Sequence, residues 1–427
     1  MKEWDSFDKI IKGKGMWLID SKGNKILDGV ASMWCNVWGH SNPELVRAIT
    51  NQSKKLQHSS MFNLTNEPAE RLAENLVNIS PGMHKVFFSD NGSTAMEIAI
   101  KLALQYWKNI GEKKKTKIAT IENGYHGDTF GAMSVGYVPE FFGKFKEQLF
   151  STIQFPVPNK YRIPRGFTFS DYQNYCIEKI EKKFSKNNNI AAFIMESGAQ
   201  VAGGVIIYPK GFQRKISQLC RKYDILFVLD EIATGLGRLG SMIQYEEQKS
   251  IPDIVAYGKM LTGGYLTMAA TLTNKKIYDS YLGEFNDRKH LFHGHTYTGN
   301  PIAAAVANEN LKMYKTKSLI KKIQKTSKVF EKFYQEISEI DIVGDIRHKG
   351  MLMGIELVTN RKKKTPIHPK KSINKIFFEE GKKQGIYLRT LGNIVMLVPP
   401  LAISEKELNL LVNGVIRTIK AARSKVI

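Results

Sequence analysis

Residues 211–240 read "GFQRKISQLCRKYDILFVLDEIATGLGRLG". The stretch 211–224 has the mixed apolar and basic pattern of an amphipathic helix. "ILFVLD" (225–230) is a continuous apolar run, the signature of a strand buried on both faces. A glycine-rich loop follows. Helix, buried strand and glycine loop in succession describe one turn of a parallel α/β sheet. The strand ends on Asp230 and Glu231. Two acids at the end of a buried strand are costly unless something pairs with them.

Moving outward, the same alternation extends over residues 50–310. "KVFFSD" (85–90) precedes a helical stretch at 93–110, and "KIATI" (117–121) runs into a loop. "IAAFIMES" (190–197) and "DIVAYGK" (253–259) read as further strands. The pattern predicts an α/β fold whose large domain holds a mostly parallel sheet with helices on both faces. Residues 16–30 read as a hairpin around Ser21-Lys-Gly-Asn24, and 300–338 as helical. After about residue 340 the pattern changes. Two strands flank Gly350, a helix covers 373–385, "IYLRT" and "IVMLVP" are strands, and a closing helix begins at the capping box Ser404/Glu407. The expected division is 1–49 as an N-terminal segment packing with a small domain, 50–310 as the large domain, and 311–427 as a smaller α+β domain.

Composition narrows the function. The chain has 427 residues and a formal net charge of +23. Its lysines are spread out and no nucleic-acid-binding motif accompanies them, so they read as a solvated surface without a specific nucleic-acid partner. No apolar run is long enough for a membrane span, and the N-terminus lacks the apolar core of a signal peptide. These readings place the protein in the cytoplasm with no membrane partner. Cys35, Cys176 and Cys220 are far apart and suit neither a disulfide framework nor a zinc site. His293-x-His295 has ligand spacing but no evident third ligand, so no metal is expected.

In an open α/β sheet, ligands collect at the carboxyl ends of the strands. Four features fall there. Asn91-Gly92-Ser93-Thr94 opens a helix, where backbone N–H groups can hold a phosphate; a plain N-cap is the alternative. Tyr125-His126-Gly127-Asp128 can cover a flat ring or simply pack. Asp230 ends its strand. Lys259, in "GKMLTGG" (258–264), would be desolvated there; as an isolated lysine it could equally be an exposed loop residue. Burial lowers an amine's pKa and suits it to Schiff-base chemistry. A phosphate cup, an aromatic lid, a carboxylate and a lysine at one sheet edge are what pyridoxal 5'-phosphate requires. The glycines of "ATGLGRLG" mimic a dinucleotide loop, but they follow an acidic strand end and open no long helix.

"LDEIATGLGRLG" followed by "GKMLTGG" resembles the class III (subgroup II) pyridoxal-phosphate aminotransferases over nearly the whole chain. The resemblance implies a fold-type I transferase and a homodimer with shared active sites. It implies Lys259 as the Schiff-base lysine and proton carrier of a ping-pong cycle, and Asp230 as partner of the pyridine nitrogen. Ile232 and Tyr125 would pack on the two ring faces, and Gly92 and Ser93 would hold the phosphate. Thr296, in "HGHTYTGNP" (293–301), would reach the phosphate of the neighbouring subunit's cofactor, with Gly294 beside the substrate.

Within that family, "LDGVASMWCNVWGHSNPEL" (27–45), "NGYHGDTFGAMSVG" (123–136) and "LRTLGNIVMLVPP" (388–400) are similar to the members that aminate 8-amino-7-oxononanoate in biotin biosynthesis. On that likeness Trp34 lines a tunnel for a long apolar substrate, although packing between domains is its bland alternative. Arg389 binds the far carboxylate, Asp128 joins Tyr125 near the reacting amine, and Arg238 lies near the pocket mouth. Three departures fall on the amino-donor side: Met33-Trp34 in place of a Trp-Trp pair, no tyrosine in "EWDSFDK" (3–9) where only Phe7 could stand in, and His295 in place of proline. Both S-adenosylmethionine and lysine therefore stand as donors. A class III enzyme using an ω-amino acid or ornithine-like donor is the alternative.

Overall fold

The computed structural model describes residues 7–427. Its centre is a seven-stranded sheet in the order Lys85–Ser89, Ala269–Thr273, Ile254–Tyr257, Leu226–Asp230, Ile190–Glu196, Lys117–Ile121, Ile153–Phe155. All neighbours are parallel except those of Ala269–Thr273, which runs antiparallel to both strands beside it. Every residue of Ile190–Glu196 and of Leu226–Asp230 is buried, as continuous apolar runs require when helices cover both faces. Each large apolar side chain in such a strand contributes about 1.5–3 kcal/mol on burial.

The helix Gly92–Asn109 lies on one face of this sheet. Ala95, Ala99 and Ala103 are small enough to bring it close, and Thr271 Oγ1 donates to Ala95 O at 2.8 Å. Its start is fixed by a reciprocal cap. Asn91 Oδ1 accepts from Thr94 N at 3.0 Å, and Thr94 Oγ1 accepts from Asn91 N at 3.2 Å. The helix Phe212–Lys222 then feeds the central strand, as its sequence pattern predicts.

Two further sheets flank the large one. Ile10–Lys14, Trp17–Asp20 and Lys25–Asp28 form an antiparallel ribbon, which Ile386–Tyr387 extends with a parallel pairing to Lys25–Asp28. Val343–Lys349, Leu352–Asn360, Ile394–Leu397 and Arg389–Leu391 form an antiparallel sheet. "IYLRT", expected as one strand, is thus divided between two sheets, with Leu388 buried at the crossing. The closing helix Glu405–Val426 starts at the expected Ser404/Glu407 box. Among the described residues no helix is long and apolar enough to cross a membrane.

Candidate active site

The carboxyl ends of the central strands open into a cavity of about 450 Å³. Asp230 and Glu196 stand in register at the ends of adjacent parallel strands, so two carboxyl groups share its floor. Asp230 Oδ1 accepts the Ile232 N–H at 2.9 Å, and Oδ2 lies 2.8 Å from His126 Nδ1. A carboxylate only accepts, so Nδ1 carries the proton. The acid that begins unpaired in the sequence is therefore held by a buried imidazole 104 positions away in the chain.

Glu196 accepts from Val201 N at 2.9 Å and from Tyr125 N at 3.3 Å. Burial pushes its carboxyl up to about 7, against the pull of His126. Glu231 turns away from the cavity. It accepts from Tyr245 N at 2.6 Å and Gln244 N at 3.0 Å, and burial raises it to about 7.

Lys259 follows the strand Ile254–Tyr257 and lines the same cavity. Enclosure lowers its amine pKa, with Asp230 and Glu196 opposing the shift. Its Nζ is 5.3 Å from the centre of the Trp34 ring. Its loop is fastened from below by Asn310. That side chain donates to the Met260 and Leu261 carbonyls at 2.8 and 2.9 Å and accepts from Trp38 Nε1 at 2.7 Å. Trp38 is thus a packing residue with a satisfied indole.

Gly92 and Ser93 line the cavity as well. A Cβ at Gly92 would fall 2.8 Å from Ile232 Cγ2, so only glycine leaves Ile232 in place. Ser93 Oγ accepts from Thr129 N at 3.0 Å and lies 2.8 Å from Thr129 Oγ1, while Glu97 accepts from Thr129 Oγ1 and from Ala132 N. Tyr125 donates its hydroxyl to Asp128 Oδ2 at 3.0 Å; burial, reinforced by Asp128, raises the phenol's pKa.

The cavity brings together Trp34, Gly92, Ser93, Tyr125, Asp128, Asp230, Ile232 and Lys259. Four other expected site residues lie off it. Arg389 places Nη1 2.9 Å from Met33 Sδ and is near enough to Tyr125 to oppose the rise in its pKa. Gly294 and Thr296 are exposed, and the Thr296 carbonyl lies 2.8 Å from His58 Nε2. Neighbouring His295 lies 3.1 Å from Asp90.

Arg238 corrects the sequence reading. It is not at the pocket mouth but 1% exposed, with Nη1 donating to Met351 O at 3.0 Å and Pro399 O at 2.7 Å. Its own carbonyl accepts from Met351 N at 2.8 Å. The glycine turn folds back under the C-terminal sheet, so the guanidinium joins two parts of the fold. Burial lowers its pKa to about 10. Residues 3–6 of the N-terminal stretch lie outside the described residues; Phe7 is exposed.

His126, Glu196 and Thr129 are site residues that the sequence reading passed over. Glu196 carried the same signal as Asp230, an acid ending a fully apolar strand. His126 stood inside a motif already singled out, but only as an aromatic.

Residues 4–419 match the family model for class-III aminotransferases. The chain belongs to that family. This class-III aminotransferase is 43% identical over 94% of its length, and 90% of the relative's, to the adenosylmethionine-8-amino-7-oxononanoate aminotransferase of Staphylococcus aureus. It superposes on the crystal structure of the Methanocaldococcus jannaschii enzyme of the same name with TM-score 0.92 and 40% identity, covering 98% of this chain and 94% of that one. The omega transaminase of Pseudomonas jessenii in complex with PMP gives TM-score 0.93 at 30% identity, with 98% and 94% covered.

Class-III aminotransferases depend on pyridoxal phosphate. The residues present fit that group: a desolvated lysine, a buried acid backed by imidazole, an apolar residue, Ile232, closely approached by Gly92 and Gly258, and a helix start whose first residues line the cavity.

Proposed function

We propose that this aminotransferase transfers an amino group to the 7-oxo carbon of 8-amino-7-oxononanoate, giving 7,8-diaminononanoate for biotin synthesis, with S-adenosylmethionine as donor. The observation that carries the reading is a cavity with Trp34 set 5.3 Å over Lys259, in a chain 40–43% identical, nearly end to end, to relatives of that name. A tryptophan wall suits a long apolar chain.

Bound pyridoxal phosphate supplies an electron sink and an aldehyde that carries the amino group between donor and acceptor. Lys259 would hold it through its amine and would take a proton from the donor's α-carbon. Enclosure lowers its amine pKa, which favours the neutral form that can accept a proton. Asp230, oriented by His126, would hold the proton on the pyridine nitrogen. Ile232 and Tyr125 would enclose the ring, and Gly92 and Ser93 would bind the phosphate. Arg389 takes the acceptor's terminal carboxylate, for which Met33 Sδ is a weak substitute partner. Asp128 and the Tyr125 hydroxyl steer the reacting amine.

The protein acts as a homodimer. Thr296, exposed in the single chain, would reach the cofactor phosphate of the partner subunit. The exposed Phe62, Phe285, Phe292 and Tyr297 supply apolar surface for that contact. The test is amination of 8-amino-7-oxononanoate by the purified holoenzyme with S-adenosylmethionine or lysine as donor. Turnover with S-adenosylmethionine supports the reading. Turnover with lysine alone replaces the donor, and no turnover with either overturns it.

A further inference from the structure

The loop that carries Trp34 has an unusual backbone. Ala31, Ser32 and Trp34 adopt φ of 48°, 61° and 66°, and none is glycine. Such backbone persists only where its surroundings over-determine it. The indole does not secure itself: Trp34 is 7% exposed and its Nε1 has no hydrogen-bond partner. The ring's place over Lys259 is therefore set by the loop, and the question is what sets the loop.

The answer lies at the end of the strand Lys25–Asp28. The Asp28 carboxylate is fully buried. Its Oδ1 accepts from Val30 N at 3.2 Å. Its Oδ2 accepts from Ser32 N at 2.7 Å and Ser32 Oγ at 3.1 Å, and lies 3.2 Å from His40 Nε2. One acid thus gathers the first half of the loop and His40, which follows its end. His40 is itself fixed. Its backbone exchanges hydrogen bonds with Gly15 at 2.7 and 3.1 Å, and Gly13 lies so close that a Cβ there would fall 2.6 Å from His40 Cβ. Gly264, in the lysine loop, runs beneath Cys35 and Asn36, where a Cβ would meet backbone at 3.2 Å.

We propose that Asp28, acting through Ser32 and His40, is a positioning residue that holds the 30–36 loop in its strained form and so sets Trp34 as the wall against which the amino acceptor binds. This rests on the reading of Trp34 as a substrate wall. Asp28 touches neither Lys259 nor the ring site, so its effect falls on acceptor binding and not on the cofactor.

The test uses the holoenzymes of Asp28→Asn, His40→Leu and His40→Gln. Asp28→Asn and His40→Leu should raise KM for 8-amino-7-oxononanoate about tenfold, with kcat changed less than about threefold and the visible cofactor absorbance retained. His40→Gln, which keeps a donor, should recover most of the loss. Amide exchange over residues 30–36 should quicken about tenfold in Asp28→Asn, while the strand Leu226–Asp230 stays protected. Unchanged exchange over 30–36 overturns the proposal. So does exchange that rises across the whole chain, with KM, kcat and melting temperature moving together. If Asp28→Asn does not fold, Ser32→Ala, which removes only the 3.1 Å bond, should show the same pattern at about threefold. Absence of turnover in the unaltered enzyme sinks the substrate reading alone, because the exchange measurement still decides whether Asp28 holds the loop.

Discussion

Replacing His126 probes the ring-nitrogen end of the site most directly. His126→Leu removes the N–H that lies 2.8 Å from Asp230 Oδ2 and leaves that oxygen buried without its partner. A hydrogen bond to a charged group contributes about 1.5–3 kcal/mol. If Asp230 needs that bond in order to hold the proton on the cofactor nitrogen, the loss appears in the transition state. At about 1.4 kcal/mol per tenfold, kcat should fall roughly 10- to 150-fold. His126→Asn can place an amide N–H near the position of Nδ1 and should recover most of this. Steady-state kinetics on both variants, with cofactor content measured on each, gives the comparison. A kcat for His126→Leu within about twofold of the unaltered enzyme at full cofactor occupancy would refute the reasoning. Equal losses in both variants would show that imidazole shape, and not the hydrogen bond, is what matters.

Other outcomes follow from the same geometry. Lys259→Ala should lose turnover and the visible absorbance of lysine-bound cofactor together; an active variant would remove the assignment. Arg389→Leu should raise KM for the acceptor by about 10- to 100-fold, the cost of leaving a carboxylate unpaired, while donor kinetics stay unchanged. Mixing inactive Lys259→Ala and Thr296→Val subunits tests the shared site: a cofactor-binding defect confined to the site facing the altered threonine is expected, and independent behaviour of each subunit counts against it. Glu231 is raised from 4.5 to about 7 by burial, so folding holds a proton that the unfolded chain releases. That share of stability is complete below pH 4.5 and is lost as the pH rises through about 7. Glu231→Gln should flatten the fall in melting temperature across this range by roughly half, with Glu196 supplying the remainder. An unchanged slope would show that Glu231 does not titrate there.

Much of this site could be read from the chain because its parts recur at one kind of place. Asp230 ends an apolar strand and Lys259, Gly92 and Tyr125 each come shortly after one, and parallel pairing brings such ends to one edge. What escaped the reading depends on partners distant in sequence. The antiparallel strand Ala269–Thr273 consists largely of small residues and takes its direction from neighbours rather than from any local pattern. Arg238 looks like a loop charge until Met351 and Pro399, 113 and 161 positions away, fold over it. The division of "IYLRT" between two sheets likewise depends on the N-terminal ribbon offering Leu27 and Asp28 as partners.

That divided strand has a mechanical consequence. Residues 386–391 belong to the N-terminal ribbon through Tyr387 and to the C-terminal sheet through Arg389. A displacement of the first hairpin is therefore transmitted along two peptide units to the guanidinium assigned to the substrate's far end. If Arg389 takes the substrate's far carboxylate as proposed, substitutions in the ribbon that touch no ligand should shift the chain length the enzyme accepts.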